Sequence, residues 1–354
     1  MNDLRTGLSY GDVLLVPQRS AVDSRSDVDL STRLTPDIAL DTPLLSAPMD
    51  TVTEAETAIA LDAVGGFGTI HRFADPESQA AEVRAASDAG AKVGAAVGID
   101  EDYITRSEAT IEAGADAVMV DVAHGHLERT LDAVAGLRRE FPDLDIVAGN
   151  VATPAGVQDL AAAGADCVKV GIGPGSHCTT RKVAGAGVPQ LTAVDDCADA
   201  AAELGVTTIA DGGIRSSGDA VKALMAGADT VMMGSLFAGT DEAPGAVIER
   251  DGTKYKRSRG MATTAAAKNR GDKDAEDAAP SADEGVEGLT EYKGALADVA
   301  GEFAAGIRSG LSYCGGHTIE AARRNAEFIR VEGGAKAREG AHGDHDWETV
   351  SADD

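Results

Sequence analysis

Short, near-continuous apolar runs recur along the chain, each followed by a helix-like stretch. Reading forward they are Pro43–Ala47, Gly66–Ile70, Lys92–Gly98, Ala117–Asp121, Asp145–Gly149, Cys167–Gly171, Thr207–Ala210 and Thr230–Met233. Rich in β-branched residues and without polar alternation, they have the pattern of parallel strands buried on both faces. The punctuation repeats too. Ala-Gly-Ala precedes a run at 89–91, 113–115, 163–165 and 226–228, three times with Asp next. A glycine there suits the left-handed residue that ends a helix before the chain turns into a strand. Recurrence of this helix-stop-strand unit implies alternating β and α elements.

Eight such units between residues 43 and 233 predict an α/β fold closed as a (β/α)8, or TIM, barrel. The alternative is an open doubly wound sheet, but its strand–G-x-G-x-x-G–helix signature is absent from the first unit. The expected organisation is one catalytic domain over residues 1–354. Residues 1–40 form an entry segment, 256–290 an active-site lid and 332–354 a C-terminal tail. Within the lid, Met261–Glu287 is polar, Ala- and Asp-rich and shows little apolar periodicity. A long stretch of that kind is ordinarily functional or disordered, and on a barrel it would lie near the C-terminal face of the strands.

Composition narrows the class. With 354 residues, 43% of them hydrophobic, the chain can bury a sizeable core. No apolar run approaches the roughly 20 residues of a membrane helix, and the N-terminus lacks a signal-peptide layout, so a cytoplasmic protein without a membrane partner is expected. Cys167, Cys178, Cys197 and Cys314 are scattered, with no metal-ligand spacing, and read as reduced thiols. Against 31 Lys and Arg stand 59 Asp and Glu, a net charge of −28. That balance argues against nucleic acid as a partner, since phosphate binding needs clustered cations. The acidic residues are spread along the chain, as on a halophilic surface that stays hydrated in concentrated salt. A polyanionic face for a basic partner is the alternative.

In barrels the chemistry sits in the loops after the strands. Here those loops begin Ser46-Ala-Pro-Met-Asp50, Asp121-Val-Ala-His124, Gly149-Asn150, Asp211-Gly-Gly213 and Gly234-Ser235. The last two follow the seventh and eighth strands, where barrel enzymes bind phosphate through backbone N–H groups; simple tight turns are the bland alternative. A carboxylate at Asp211 would suit a ribose hydroxyl. The sixth loop, Gly171-Ile-Gly-Pro-Gly-Ser-His-Cys-Thr-Thr-Arg181, is the strongest local signal. Its glycines and proline shape the backbone and present carbonyls suited to a monovalent cation. Cys178, beside Arg181, suits a nucleophile. Cys167 in an apolar strand and Cys197 in an Ala-rich helix read as core, with Cys314 undecided. His124 and His126 lack a third metal ligand, and His342 and His345 read as tail residues.

These segments carry a family resemblance. Ser46-Ala-Pro-Met-Asp-Thr-Val52, Asp121-Val-Ala123, Ala148-Gly-Asn-Val151, Gly171–Arg181, Ala210-Asp-Gly-Gly213 and Arg259-Gly-Met261 resemble the IMP dehydrogenase/GMP reductase family over nearly the whole chain. The resemblance implies a homotetrameric barrel enzyme acting on a purine mononucleotide, GMP or IMP, with a nicotinamide cofactor. Cys178 would attack C2 of the purine, and Thr180 with Glu284 would move the proton. Asp211 would hold the ribose; Ser176, Gly212, Gly213, Gly234 and Ser235 the phosphate; Gly260 and Met261 the base. Asp121, Val122 and Ala123, with Asn150, Ile172 and Gly173, would face the cofactor, and Arg72 is the candidate for a 2′-phosphate. Gly173, Gly175 and Cys178 offer their carbonyls to a potassium ion, with Arg181 beside them.

Two members of the family fit, and the favoured one is the NADPH-dependent reductase that converts GMP to IMP and ammonia. No regulatory insert follows the second strand, as in reductases. The lid stretch Gly271–Glu276 places Ala275 and Glu276 where dehydrogenases carry a water-activating Arg-Tyr pair. Pro189–Val194 and Ile248–Lys254 also look reductase-like. Ser309–Gly315, the tail around Arg338 and the length of the lid resemble the NAD-dependent dehydrogenase instead. Arg270 is followed by Gly271 rather than Tyr, and Ser281 stands where reductases carry an Arg before the lid Glu. A third reading, an idle nucleotide-binding paralogue, is opposed by the intact Cys178 and Thr180.

Overall fold

The computed structural model describes residues 4–100, 102–264, 266 and 282–333. Eight parallel strands close into a barrel: β1 (Leu44–Ser46), β2 (Phe67–Ile70), β3 (Val93–Val97), β4 (Ala117–Asp121), β5 (Asp145–Val151), β6 (Cys167–Val170), β7 (Thr207–Asp211) and β8 (Thr230–Met233). Closure is the parallel pairing of β8 with β1, Met232 opposite Leu45. All eight apolar runs are strands, two with the bounds read from the sequence and six shortened or extended by one or two residues. Helices α1 (Ala55–Ala63), α2 (Pro76–Asp88), α3 (Tyr103–Glu112), α4 (Glu128–Glu140), α5 (Pro154–Ala163), α6 (Gln190–Leu204), α7 (Ser217–Met225) and α8 (Leu296–Tyr313) follow them in turn. Only His71–Asp75 lie between β2 and α2, so no inserted domain stands there.

The repeated Ala-Gly-Ala performs the predicted function. Gly90, Gly114, Gly164 and Gly227 have φ of 82°, 103°, 111° and 112°, the left-handed stop after α2, α3, α5 and α7. The Asp that follows in three copies has a further task. Asp116, Asp166 and Asp229 each accept a backbone N–H from the first or second residue of the preceding strand (Val93, Ile146, Thr208) at 2.8 Å. One short motif thus ends a helix and stitches two adjacent strands at the N-terminal face of the barrel.

The barrel interior is filled by side chains that include Leu45, Phe67, Met119, Val147, Ile209 and Met232. Below them, Leu34, Ile38 and Leu40 close the N-terminal end; they belong to a small hairpin, Thr32–Arg33 with Ala39–Leu40. The entry segment therefore contributes strands the apolar pattern did not announce. A further one, Val13–Leu15, pairs with Phe328–Arg330 and ties the two ends of the described chain together. Cys167 and Cys197 are fully buried, as expected of core thiols, and Cys314 at the end of α8 joins them. Burial pushes the Cys197 thiol up to about 12.

After β8 the chain leaves the barrel in an antiparallel sheet, Ile248–Arg250, Thr253–Arg259 and Glu287–Glu291. The hairpin joining the first two strands turns at Asp251-Gly252, both with positive φ. The span read as a lid, 256–290, thus begins and ends in paired strands rather than in loop. Ala275, Glu276, Arg270, Ser281, Arg338, His342 and His345 lie outside the described residues. Among the described helices none is long and apolar enough to cross a membrane.

The net charge of −28 makes a test of the halophilic reading. Like charges spread over one surface repel at distances that salt screens, with a Debye length of about 10 Å at 0.1 M and 3 Å at 1 M. The melting temperature should therefore rise from dilute buffer to molar KCl, and NaCl should reproduce most of the rise. A curve that is flat or falling with KCl would remove the halophilic reading.

Candidate active site

The loop after β6 carries Cys178 to the mouth of the barrel, just before the short helix that opens at Thr180. Its Sγ lies 3.1 Å from Thr180 Oγ1, which in turn donates to Glu284 Oε2 at 2.7 Å. Because the Thr hydroxyl gives its proton to the carboxylate, its lone pair is left to accept the thiol proton. The chain of bonds thus has a direction, from sulfur toward Glu284. Thr180 and Glu284 are 104 positions apart in sequence. Backbone pairing joins them: Thr179 N–H donates to Glu284 O at 2.8 Å, Val286 N–H to His177 O at 2.9 Å, and Glu284 N–H to Ala262 O at 3.0 Å. His177 Nε2 meets Ser258 Oγ at 2.8 Å, and burial lowers the pKa of its imidazole, favouring the neutral ring.

A polar floor lies on the other side of the cysteine. Gly212 and Gly213, at φ of 87° and 77°, turn the chain sharply after β7. The Ser176 and Ser235 hydroxyls hydrogen-bond to each other above β8. Lys293, though exposed, donates to the carbonyls of Ser235 and Leu236 at 3.0 and 2.9 Å. Strand Thr253–Arg259 is held against the barrel by Arg259, whose Nε donates to both carboxylate oxygens of Asp50 at 3.1 Å. That bond raises the Arg259 pKa, and it sets Gly260 and Met261 at the rim.

Two compartments meet at Cys178 and Asp211. The larger, about 770 Å³, is lined by Ser176, Asp211, Gly212, Gly213, Gly234 and Ser235, and by Gly260, Met261 and Glu284 on the facing wall. The smaller, about 380 Å³, is lined by Arg72, Asp121, Val122, Ala123, Asn150 and Gly173. The residues expected at substrate therefore share one cavity, and all but one of those expected at cofactor share the other. The exception is Ile172, which packs against the hydrophobic core and whose carbonyl accepts from Arg181 Nε at 3.0 Å. Arg72 stacks over Phe73, 4.9 Å from the ring centroid.

The cation set expected from the sequence divides. Gly173, Gly175 and Cys178 offer neutral carbonyl oxygens, the donor type a hard monovalent ion takes, although Gly175 O also accepts Cys178 N–H at 3.1 Å. The Arg181 side chain has no acceptor, and its guanidinium spans the carbonyls of Ile172 and Val188. Only the backbone of Arg181 could serve an ion. His126 pairs with Asp159 at 2.7 Å.

Sequence reasoning missed several residues of the site. Ser9, Tyr10, Gly11 and Asp12 of the entry segment line the larger cavity, as does Gln190; nothing in their local pattern marks them. Lys169 did leave a signal, a lone cation in the otherwise apolar strand Cys167-Val-Lys-Val170.

A closed parallel barrel with a thiol at its C-terminal mouth, hydrogen-bonded through a hydroxyl to a carboxylate between two joined cavities, has the architecture of a barrel enzyme. The chain belongs to the IMP dehydrogenase / GMP reductase family, whose domain model matches residues 7–342. It is an oxidoreductase of that family, acting on a purine mononucleotide with a nicotinamide cofactor. It is 39% identical over 383 residues to inosine-5′-monophosphate dehydrogenase of Borreliella burgdorferi, covering 92% of this chain and 94% of the relative. It is 35% identical over 481 residues to GMP reductase of Leishmania donovani, covering 96% and 97%. A crystal structure of a cysteine-to-alanine variant of Trypanosoma brucei GMP reductase, in complex with guanosine 5′-monophosphate, superposes with a TM-score of 0.91 at 32% identity, covering 96% of this chain and 98% of that one. The 481-residue alignment to a reductase exceeds this chain's length by far, whereas the 383-residue alignment to a dehydrogenase does so only slightly. Extra sequence thus follows neither name, and the missing insert does not by itself point to a reductase.

Proposed function

We propose that this chain reduces GMP to IMP and ammonia with NADPH, through an adduct between Cys178 Sγ and C2 of the purine. The observation that carries the covalent step is the directed chain Cys178–Thr180–Glu284, at 3.1 and 2.7 Å. The thiol proton passes through Thr180 to Glu284 as sulfur adds to C2. The same pair returns a proton to the departing amine, so that ammonia leaves from C2. Arg72, Asp121, Val122, Ala123 and Asn150 of the smaller compartment would hold a nicotinamide cofactor, which when bound would supply hydride to that carbon. Elimination of the thiolate then releases IMP, with both electrons of the hydride retained at C2. Ser176, Ser235 and the turn at Gly212–Gly213 hold the phosphate, Asp211 the ribose, and Gly260 with Met261 the base. In this reading Arg72 meets the 2′-phosphate, and the carbonyls of Gly173, Gly175 and Cys178 take a potassium ion.

The direction of the reaction rests on the lid sequence. Hydrolysis of the adduct requires an activated water, and Ala275 and Glu276 stand where the Arg-Tyr pair would supply its base. A second reading, IMP oxidised to XMP with NAD, is favoured by the dehydrogenase names among relatives at 36–39% identity. Assays in molar KCl separate the two. GMP with NADPH should give nicotinamide oxidation and stoichiometric ammonia, and IMP with NAD little steady-state XMP. Ala275→Arg with Glu276→Tyr should raise XMP formation. Robust XMP production by the natural chain, without GMP reduction, would assign it as the dehydrogenase, and no turnover with either pair would leave nucleotide binding alone.

A further inference from the structure

Lys169 takes no part in the steps above, yet it is 1% exposed at the heart of the site. From β6 its Nζ donates to Asp121 Oδ1 at 2.5 Å and to Asp211 Oδ2 at 2.9 Å. Asn150 Nδ2 donates to the same Asp211 oxygen at 2.8 Å. Asp211 ends the neighbouring strand β7, but Asp121 ends β4, with β5 between it and Lys169. The residue of β5 opposite Lys169 is Gly149. A Cβ there would sit 2.6 Å from that of Lys169, so the glycine opens the space the lysine occupies. Burial alone disfavours the ammonium; the two carboxylates more than reverse this and hold its pKa above the ordinary lysine value. Packing needs no cation here, since the other residues of β6 are Cys and Val. Yet Asp121 lines the smaller compartment and Asp211 lines both.

We propose that Lys169 is a positioning residue that couples the two compartments, one buried ammonium orienting the ribose-accepting Asp211 of the larger and the cofactor-facing Asp121 of the smaller. The proposal rests on the reading of Asp211 as the ribose acceptor and of Asp121 as a residue facing the cofactor. It does not depend on which direction the reaction runs. Without the cation, two like-charged carboxylates face each other across a buried gap and turn apart, so mononucleotide and dinucleotide sites are lost together.

The test is calorimetric titration of the full chain in KCl with GMP, IMP, NADPH and NAD, each alone. In Lys169→Met the Kd for mononucleotide and for dinucleotide should both rise about tenfold or more, the range of a charge-assisted hydrogen bond. Lys169→Arg, which keeps the charge and two donors, should return both to within about threefold of the natural chain. A methionine variant that binds both classes normally would overturn the proposal, as would one that loses a single class. If that variant shows no cooperative melt, Lys169→Gln takes its place, keeping donors without charge. Weakened binding of both classes then supports the charge link, and unchanged binding overturns it. A natural chain that binds neither GMP nor IMP would instead sink the ribose reading itself.

Discussion

Cys178→Ala should abolish turnover, a loss on the order of 10⁴-fold or more in kcat, while GMP and IMP still bind within about tenfold of the natural affinity. The asymmetry follows from the geometry. The thiol is the group placed to bond the purine carbon, whereas the phosphate and ribose contacts come from loops after β6, β7 and β8 that do not depend on sulfur. Cys178 is only half-buried, so its loss should leave the melting temperature nearly unchanged. Cys167→Ala is the control. That thiol is fully buried, and its replacement should lower stability and spare chemistry. Single-turnover measurements with each nucleotide and calorimetric binding check the prediction, and turnover at the natural rate in Cys178→Ala would remove the covalent step.

Glu284→Gln should lower kcat by about 10²- to 10⁴-fold with little change in KM. The amide has nearly the same shape, and its backbone keeps the bonds to Thr179 and Ala262 that align the segment. What it cannot do is take up the proton that Thr180 passes on. Thr180→Val should give a deficit of similar size, because it cuts the same path one bond earlier. The two together should cost little more than either alone, since residues acting as one relay are not additive. Deficits that multiply in the double variant would show that Thr180 and Glu284 act independently.

The barrel was legible in the sequence because each of its units is local. A strand of four or five apolar residues, a helix and an Ala-Gly-Ala stop are written within one short stretch, and closure follows from repeating the unit eight times. The cysteine proposed as nucleophile was legible for the same reason: Gly171–Arg181 is a continuous segment whose glycines, proline and thiol read together. The turns proposed for phosphate, Asp211-Gly-Gly213 and Gly234-Ser235, likewise lie each within a few residues of a strand end. The short strands at 13–15, 32–33 and 39–40 escaped notice because two or three residues carry too little periodicity. The sheet that frames the lid did so because its strands, partly exposed and polar, lack the apolar signature. Lys169 was visible only as an anomaly in an apolar strand, since its carboxylate partners lie 42 and 48 positions away. The sequence alone determined the repeating units and the chemistry carried within single loops. Only the tertiary structure decided which loops meet, joining Thr180 to a carboxylate 104 positions on and two cavities over one buried cation, because barrel closure sets distances that no local pattern encodes.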